Sequence, residues 1–107
     1  MIRNAGGLAT DDAIRSLVIS QHLLDTEEEL VIEHTDCGML TFEDEPVRRR
    51  IAEAQGTDAD VRLLPFPDLE SNLRAQVQRI RDHAWIRDVP VSGLIYEVGT
   101  GRLRRVA

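Results

Sequence analysis

The pattern of apolar and polar positions predicts three amphipathic helices and several short strands. The first helix is predicted from Asp11 to about Leu24, since a hydroxyl cap and two acids at Thr10-Asp11-Asp12 precede apolar residues at helical spacing. A second is predicted with Thr41 as its cap and Pro46 in its first turn, ending near Gly56. The longest pattern opens at Asp68 and repeats every three or four positions through Leu69, Leu73, Val77, Ile80 and Ala84.

Continuous or alternating apolar runs outside these helices predict strands. Leu30-Val31-Ile32 has the composition of a parallel strand covered on both faces, and 91–98 predicts a strand that turns at Gly99-Thr100-Gly101 into a polar edge strand over 102–106. Residues 2–7 are typical of a strand tail running into a glycine turn, so with the first helix and the 30–32 strand they predict a βαβ unit. The predicted fold class is α/β: a mostly parallel sheet flanked by helices, with a C-terminal antiparallel hairpin.

Composition limits the classes of partner. The 107 residues suit a single domain, and 42% hydrophobic with 30% charged residues is typical of an ordinary folded protein. A net charge of −6 argues against nucleic acid, despite Arg48-Arg49-Arg50 and Arg104-Arg105. No apolar run approaches the roughly 20 residues that cross a bilayer, and the polar N-terminus is unlike a signal peptide, so no membrane association and a cytoplasmic location are expected. A single cysteine excludes an intrachain disulfide.

The candidate chemistry lies in His34-Thr35-Asp36-Cys37-Gly38, directly after the 30–32 strand. An imidazole and a thiol just past the carboxyl end of a parallel strand are placed where α/β proteins hold metals, and both are zinc ligands. The spacing alone is weak evidence, since a buried cysteine is usually a small hydrophobic residue. His22 and His83 are expected at the surface. Asp36 could coordinate zinc, but its position beside the other two makes a tetrahedral site doubtful.

Gly6-Gly7 ahead of a helix offers a different interpretation, a phosphate cradle. The dinucleotide fingerprint G-x-G-x-x-G is absent, so a tight turn with close packing is the preferred explanation.

Two motifs in this order resemble the β-class carbonic anhydrases: Arg3-Asn4-Ala5-Gly6-Gly7 and, after a helix, Val31-Ile32-Glu33-His34-Thr35-Asp36-Cys37-Gly38-Met39. The segment 93–103, Gly-Leu-Ile-Tyr-Glu-Val-Gly-Thr-Gly-Arg-Leu, is similar to the family's last hairpin. The resemblance implies zinc-dependent, reversible hydration of carbon dioxide to bicarbonate by a homodimer or larger oligomer. It also implies that His34 and Cys37 are two of the three protein ligands of the zinc ion.

The family's remaining cysteine belongs to a Cys-x-Asp-x-Arg motif on a strand ahead of the Arg-Asn-Ala-Gly segment, and that strand is not found in these residues. We therefore expect residues 1–107 to be one carbonic-anhydrase-like domain that is truncated at its N-terminus and lacks the first strand of the fold. In the family this strand lies between the one ending at Arg3 and the one ending at His34. Two other functions remain open: a non-catalytic paralogue that acts as an interaction or assembly module, and a small-anion-binding domain without zinc.

Overall fold

The computed structural model describes residues 1–107 and contains three α-helices and a mixed three-stranded sheet. In chain order the elements are α1 (Asp11–Leu24), β1 (Glu29–His34), a 3₁₀ turn (Gly38–Leu40), α2 (Asp44–Gln55), α3 (Leu69–Asp82), β2 (Val91–Glu97) and β3 (Arg102–Arg105). The strand order is β1-β2-β3, with β1 parallel to β2 and β2 antiparallel to β3. The α/β class and the C-terminal hairpin are confirmed, but the sheet has one parallel and one antiparallel pair rather than being mostly parallel.

The two helices that build the core begin at side-chain caps. The Thr10 hydroxyl accepts a hydrogen bond from the Ala13 N–H, and α1 has the predicted bounds. The Asp68 carboxylate caps α3 in the same way by accepting from the Ser71 N–H. This helix ends at Asp82, two residues before the predicted Ala84, because His83 adopts an extended conformation. None of the three helices combines the length and the apolar character that crossing a bilayer requires.

Helix α3 lies directly on β1 and β2 and supplies the centre of the core. Leu73 and Val77 are 0% and 1% exposed. They face Gly93 of β2, where an added Cβ would lie 2.9 Å from Val77 Cγ2 and 3.1 Å from Leu73 Cγ. Glycine at this position therefore lets the helix approach the strand closely. From α1, Ile14 joins the same apolar cluster as Val31 of β1, so α1 and α3 cover the same face of the sheet.

The prediction that both faces of the 30–32 strand are covered is wrong. Burial alternates along β1: Val31 is 8% exposed, whereas Leu30 and Ile32 are 55% and 47% exposed. Side chains of a strand point to alternate faces, and both core helices lie on the Val31 side. The face that carries Leu30 and Ile32 is left without a helix layer.

The start predicted for the second helix is also wrong. Helix α2 begins at Asp44 with Glu43 at its N-cap position, and the Thr41 hydroxyl instead donates to the Gly38 carbonyl oxygen at 2.6 Å. Thr41 is thus the C-cap of the preceding 3₁₀ turn rather than the N-cap of α2. Pro46 in the first turn and the end at Gly56 agree with the prediction, since Gly56 adopts the left-handed conformation with φ 69°.

No strand forms at residues 2 and 3, contrary to the prediction. Residues 1–4 have no regular structure, and the turn that follows is closed by Asn4, whose side chain both donates to and accepts from the main chain of Leu8. A strand needs a hydrogen-bonded neighbour, and residues 1–107 place none beside this segment. The predicted N-terminal βαβ unit is therefore absent. The parallel pair is β1 and β2, and the connection between them contains α3.

Candidate metal centre

His34 is the last residue of β1, and its side chain is exposed on the face of the sheet that no helix covers. Its Nδ1 lies 2.7 Å from the main-chain oxygen of Thr35. A carbonyl oxygen only accepts hydrogen bonds, so Nδ1 carries the proton and Nε2 presents a free lone pair. A hydrogen bond that fixes the tautomer in this way is typical of histidines that bind metals.

The segment after His34 is anchored to the end of β2. The Thr35 N–H donates to the Tyr96 oxygen at 3.0 Å, and the Thr35 hydroxyl accepts from the Val98 N–H at 3.0 Å. Asp36 then adopts a left-handed conformation with φ 55°, which turns the chain back toward the core. Cys37 is the next residue after this turn.

Cys37 is 6% exposed and precedes the 3₁₀ turn, whose first hydrogen bond runs from the Leu40 N–H to the Cys37 oxygen at 3.1 Å. Its side chain belongs to a second, smaller apolar cluster with Leu8, Met39 and Phe66. The thiol is therefore held in an apolar setting, whereas the imidazole of the pair is open to solvent.

The donors present fit a zinc half-site rather than a complete site. Imidazole and thiol are the ligand types that zinc prefers, but no group of three His, Cys, Asp or Glu side chains in residues 1–107 is arranged to hold a metal ion. The other histidines lie elsewhere: His22 Nε2 contacts the Trp85 oxygen at 2.8 Å, and the His83 ring packs edge-on against the Trp85 ring. His22 is exposed and His83 is half-buried.

The sequence analysis missed a series of hydrogen-bonded polar side chains that begins at the buried Glu33, the residue before His34. Glu33 is 3% exposed, and its Oε1 accepts from Asn72 Nδ2 at 2.7 Å. Asn72 Oδ1 accepts from Gln76 Nε2 at 3.1 Å, and Gln76 Oε1 accepts from the Ala9 N–H at 2.8 Å. Because the Ala9 N–H can only donate, it fixes the direction of every hydrogen bond in this series.

Glu33 is the last acceptor in this series of hydrogen bonds. Its other oxygen, Oε2, is buried without a hydrogen-bond partner. Burial raises the pKa of the Glu33 carboxyl to about 7, although the hydrogen bond from Asn72 opposes the shift. The signal that could have found it is strand parity, since Glu29, Val31 and Glu33 share one face of β1.

The second edge of β1 is unpaired. At the two ends of β1, the N–H groups of Glu29 and Thr35 both donate toward β2 at 3.0 Å. A parallel ladder repeats every two residues, so the N–H and C=O groups of the alternate positions point to the opposite edge. These positions are Leu30, Ile32 and His34. A groove of about 750 Å³ runs beside them, between the N-terminal segment, α1 and β1.

The chain is similar to several known proteins over almost its whole length. No protein-family model matches the sequence. β-Carbonic anhydrase 1 of Mycobacterium tuberculosis is 40% identical over 107 residues, which cover 99% of this chain and 66% of that protein. The crystal structure of a carbonic anhydrase from Streptococcus mutans matches with a TM-score of 0.94 and 44% identity, over 99% of this chain and 65% of the other.

The chain belongs to the β-carbonic anhydrase family. The resemblance drawn from the two motifs is therefore confirmed, and so is the fold class. A carbon disulfide hydrolase of Acidithiobacillus thiooxidans is also similar, at 35% identity over 97% of this chain and 62% of that protein. The chain spans less than two thirds of the length of these relatives.

Proposed function

We propose that this chain takes part in the zinc-dependent, reversible hydration of carbon dioxide to bicarbonate, with His34 and Cys37 as two ligands of the zinc ion. The observation that carries the proposal is the position of this pair at the carboxyl end of a parallel strand, in a scaffold that superposes on a carbonic anhydrase with a TM-score of 0.94. Bound zinc lowers the pKa of its water to about 7, which supplies the chemistry. Nε2 of His34 carries the lone pair with which a histidine binds a metal ion.

We propose further that a strand from polypeptide outside residues 1–107 completes the ligand set by docking beside β1. The unpaired edge at Leu30, Ile32 and His34 supports this, because one added parallel strand would satisfy its N–H and C=O groups. The adjoining groove of about 750 Å³ has apolar side chains in its lining. The docked strand would end beside His34, and the resemblance implies that it carries the Cys-x-Asp-x-Arg motif.

The test measures zinc content and carbon dioxide hydration for two proteins. One is the chain of 107 residues, and the other carries an added N-terminal strand with the Cys-x-Asp-x-Arg motif, taken from a similar carbonic anhydrase. Stoichiometric zinc and hydration are expected only in the extended protein, and Cys37→Ser should remove both from it. Zinc and full hydration in the chain of 107 residues would contradict the proposal, as would full zinc occupancy in extended Cys37→Ser.

The substrate is tested on the same preparations, because the relatives include both carbonic anhydrases and carbon disulfide hydrolases. The extended protein is expected to hydrate carbon dioxide far faster than it hydrolyses carbon disulfide. Turnover of carbon disulfide without hydration of carbon dioxide would reassign the substrate while leaving the two ligands in place.

We also propose that the extended protein is a homodimer or larger, as the family resemblance implies, and the cytoplasmic location expected from the sequence stays a prediction. The helix-free face of the sheet supports self-association, since it presents large apolar side chains to solvent. A monomeric mass by light scattering would contradict the proposed assembly.

A further inference from the structure

A cleft of about 520 Å³ lies at the amino end of β2, and nothing in the proposed reaction uses it. Val91 and Ser92, which begin β2, line the cleft, whereas His34 is paired with Tyr96 near the other end of that strand. Tyr96 is four positions along the strand from Ser92, which places the cleft roughly 13 Å along the sheet from the metal half-site. The cleft is therefore a separate feature of the molecule.

Three arginines from three different parts of the chain line this cleft. Arg81 belongs to α3, Arg87 to the connection after it, and Arg105 to β3. The fold brings Arg105 to the cleft that Arg81 and Arg87 line, although it is 18 residues beyond Arg87 in the sequence. A chain with 19 acidic and 13 basic residues gathers almost a quarter of its cations at one cleft.

None of these three guanidinium groups forms an ion pair with a carboxylate side chain, although other arginines do. Arg48, Arg79 and Arg104 are all paired with acidic side chains. Arg81 and Arg87 hydrogen-bond to the main-chain oxygens of Val91 and Gln21. Arg105 Nε donates to an oxygen of the last residue, Ala107, at 3.3 Å. A guanidinium has five N–H donors, so each retains donors for a ligand.

The remaining polar lining is consistent with an anion site. Ser92 is 8% exposed, lines the cleft and has no hydrogen-bond partner for its hydroxyl group in the folded chain. Asp88 is the only carboxylate side chain among the nine lining residues, so the cationic groups outnumber it three to one. Ile86, Val89 and Pro90 form an apolar wall that leaves room for the organic part of a ligand.

We propose that this cleft binds a small anion that carries a phosphoryl group. Guanidinium groups pair with phosphoryl oxygens through two parallel hydrogen bonds, and the Ser92 hydroxyl adds a neutral donor. Three cations favour a multiply charged oxyanion over a monovalent one such as bicarbonate or chloride. The volume of about 520 Å³ falls in the range of small-molecule sites. The proposal does not depend on the metal half-site or on the proposed reaction.

The test uses inorganic phosphate as the probe and thermal unfolding of the 107-residue chain as the readout, with a chelator present. Phosphate should raise Tm in a saturable manner, while sodium chloride and bicarbonate at the same ionic strength should not. Arg105→Gln should weaken phosphate affinity about tenfold, because it removes one charge-assisted contact. Arg105 lies on the exposed edge strand, so this variant is expected to fold.

Arg74→Gln is the matched control, because it removes an exposed arginine of α3 that is not part of the cleft lining. It should keep the phosphate affinity of the unaltered chain, and Ser92→Ala should lower that affinity by a smaller factor than Arg105→Gln. The proposal is overturned if chloride matches the effect of phosphate, or if Arg105→Gln and Arg74→Gln change the affinity equally.

Discussion

Two neighbouring residues of β1 have opposite environments and opposite chemical consequences. His34 faces solvent on the side of the sheet without helices, whereas Glu33 is enclosed beneath α3 and hydrogen-bonded to Asn72. These hydrogen bonds continue from Asn72 through Gln76 to Ala9, so they connect the strand that carries His34 to the start of α1. Because adjacent side chains of a strand point to opposite faces, His34 is exposed as a candidate ligand, whereas Glu33 is buried and supports the strand from the other face.

At the residue scale, Glu33 should make stability depend on pH. Burial raises the pKa of its carboxyl from 4.5 to about 7, so as pH rises the unfolded chain loses this proton before the folded chain does. The folded state is therefore favoured in acid, and stability falls between pH 4.5 and about 7. At about 1.4 kcal/mol per pKa unit, the loss is about 3 kcal/mol.

Urea unfolding of the chain at several pH values, with a chelator present, measures this loss. Glu33→Gln should remove most of it, and the remainder is expected from Glu29, whose pKa is also raised by burial. Glu28→Gln changes an exposed carboxylate in the same part of the chain and should keep the original pH dependence. An unchanged pH dependence in Glu33→Gln would refute the assignment.

At the scale of elements, α3 determines how the core is built. Its three buried residues, Leu73, Val77 and Ile80, pack on the inner face of β1 and β2. Helix α2, in contrast, has no buried residue, although its sequence is amphipathic. Apolar periodicity predicted that both helices form, although it misplaced the start of α2. It could not tell which helix lies on the sheet, because that depends on strands far away in sequence.

Gly93→Ala should lower the free energy of unfolding by about 1–3 kcal/mol, because the new methyl group would overlap Val77 and Leu73. Chemical denaturation measures the change. Gly99→Ala is the control, since a Cβ there meets no atom within 4 Å. Equal stability of Gly93→Ala and the unaltered chain would show that α3 does not lie as close to β2 as described.

At the scale of the whole molecule, apolar surface that normally belongs in a core faces solvent. Leu30 and Ile32 are 55% and 47% exposed, and Tyr96 and Leu103 are paired across β2 and β3 with 40% and 53% exposure. The radius of gyration is 15.6 Å, against about 13 Å for a compact chain of this length. The molecule is thus more open than a single domain of its size usually is.

The chain of 107 residues should therefore self-associate as its concentration rises, and Leu30→Thr combined with Ile32→Thr should reduce this association. Threonine suits an exposed strand, so the secondary structure should persist. Light scattering measures the mass and circular dichroism checks the fold. Leu23→Thr with Leu24→Thr, which changes two exposed leucines at the end of α1, should leave the association unchanged. If both double variants dissociate alike, the β1 surface is not the site of association.

The sequence alone determined the features that depend on nearby residues. Helical spacing and side-chain caps placed α1 and α3, the glycines after β2 placed the hairpin, and the His34 and Cys37 motif was located after a strand. These features rest on hydrogen bonds and dihedral preferences within a few residues, which the local sequence specifies.

Only the tertiary structure decided which faces are buried and which distant side chains meet. It left residues 2 and 3 without a strand, exposed one face of β1, joined Glu33 to Ala9 through α3, and brought Arg81, Arg87 and Arg105 to one cleft. Each outcome depends on neighbours far apart in the chain, and local pattern carries no information about them. Whether a strand forms depends on a hydrogen-bonding partner, and whether an acid is buried depends on what packs over it.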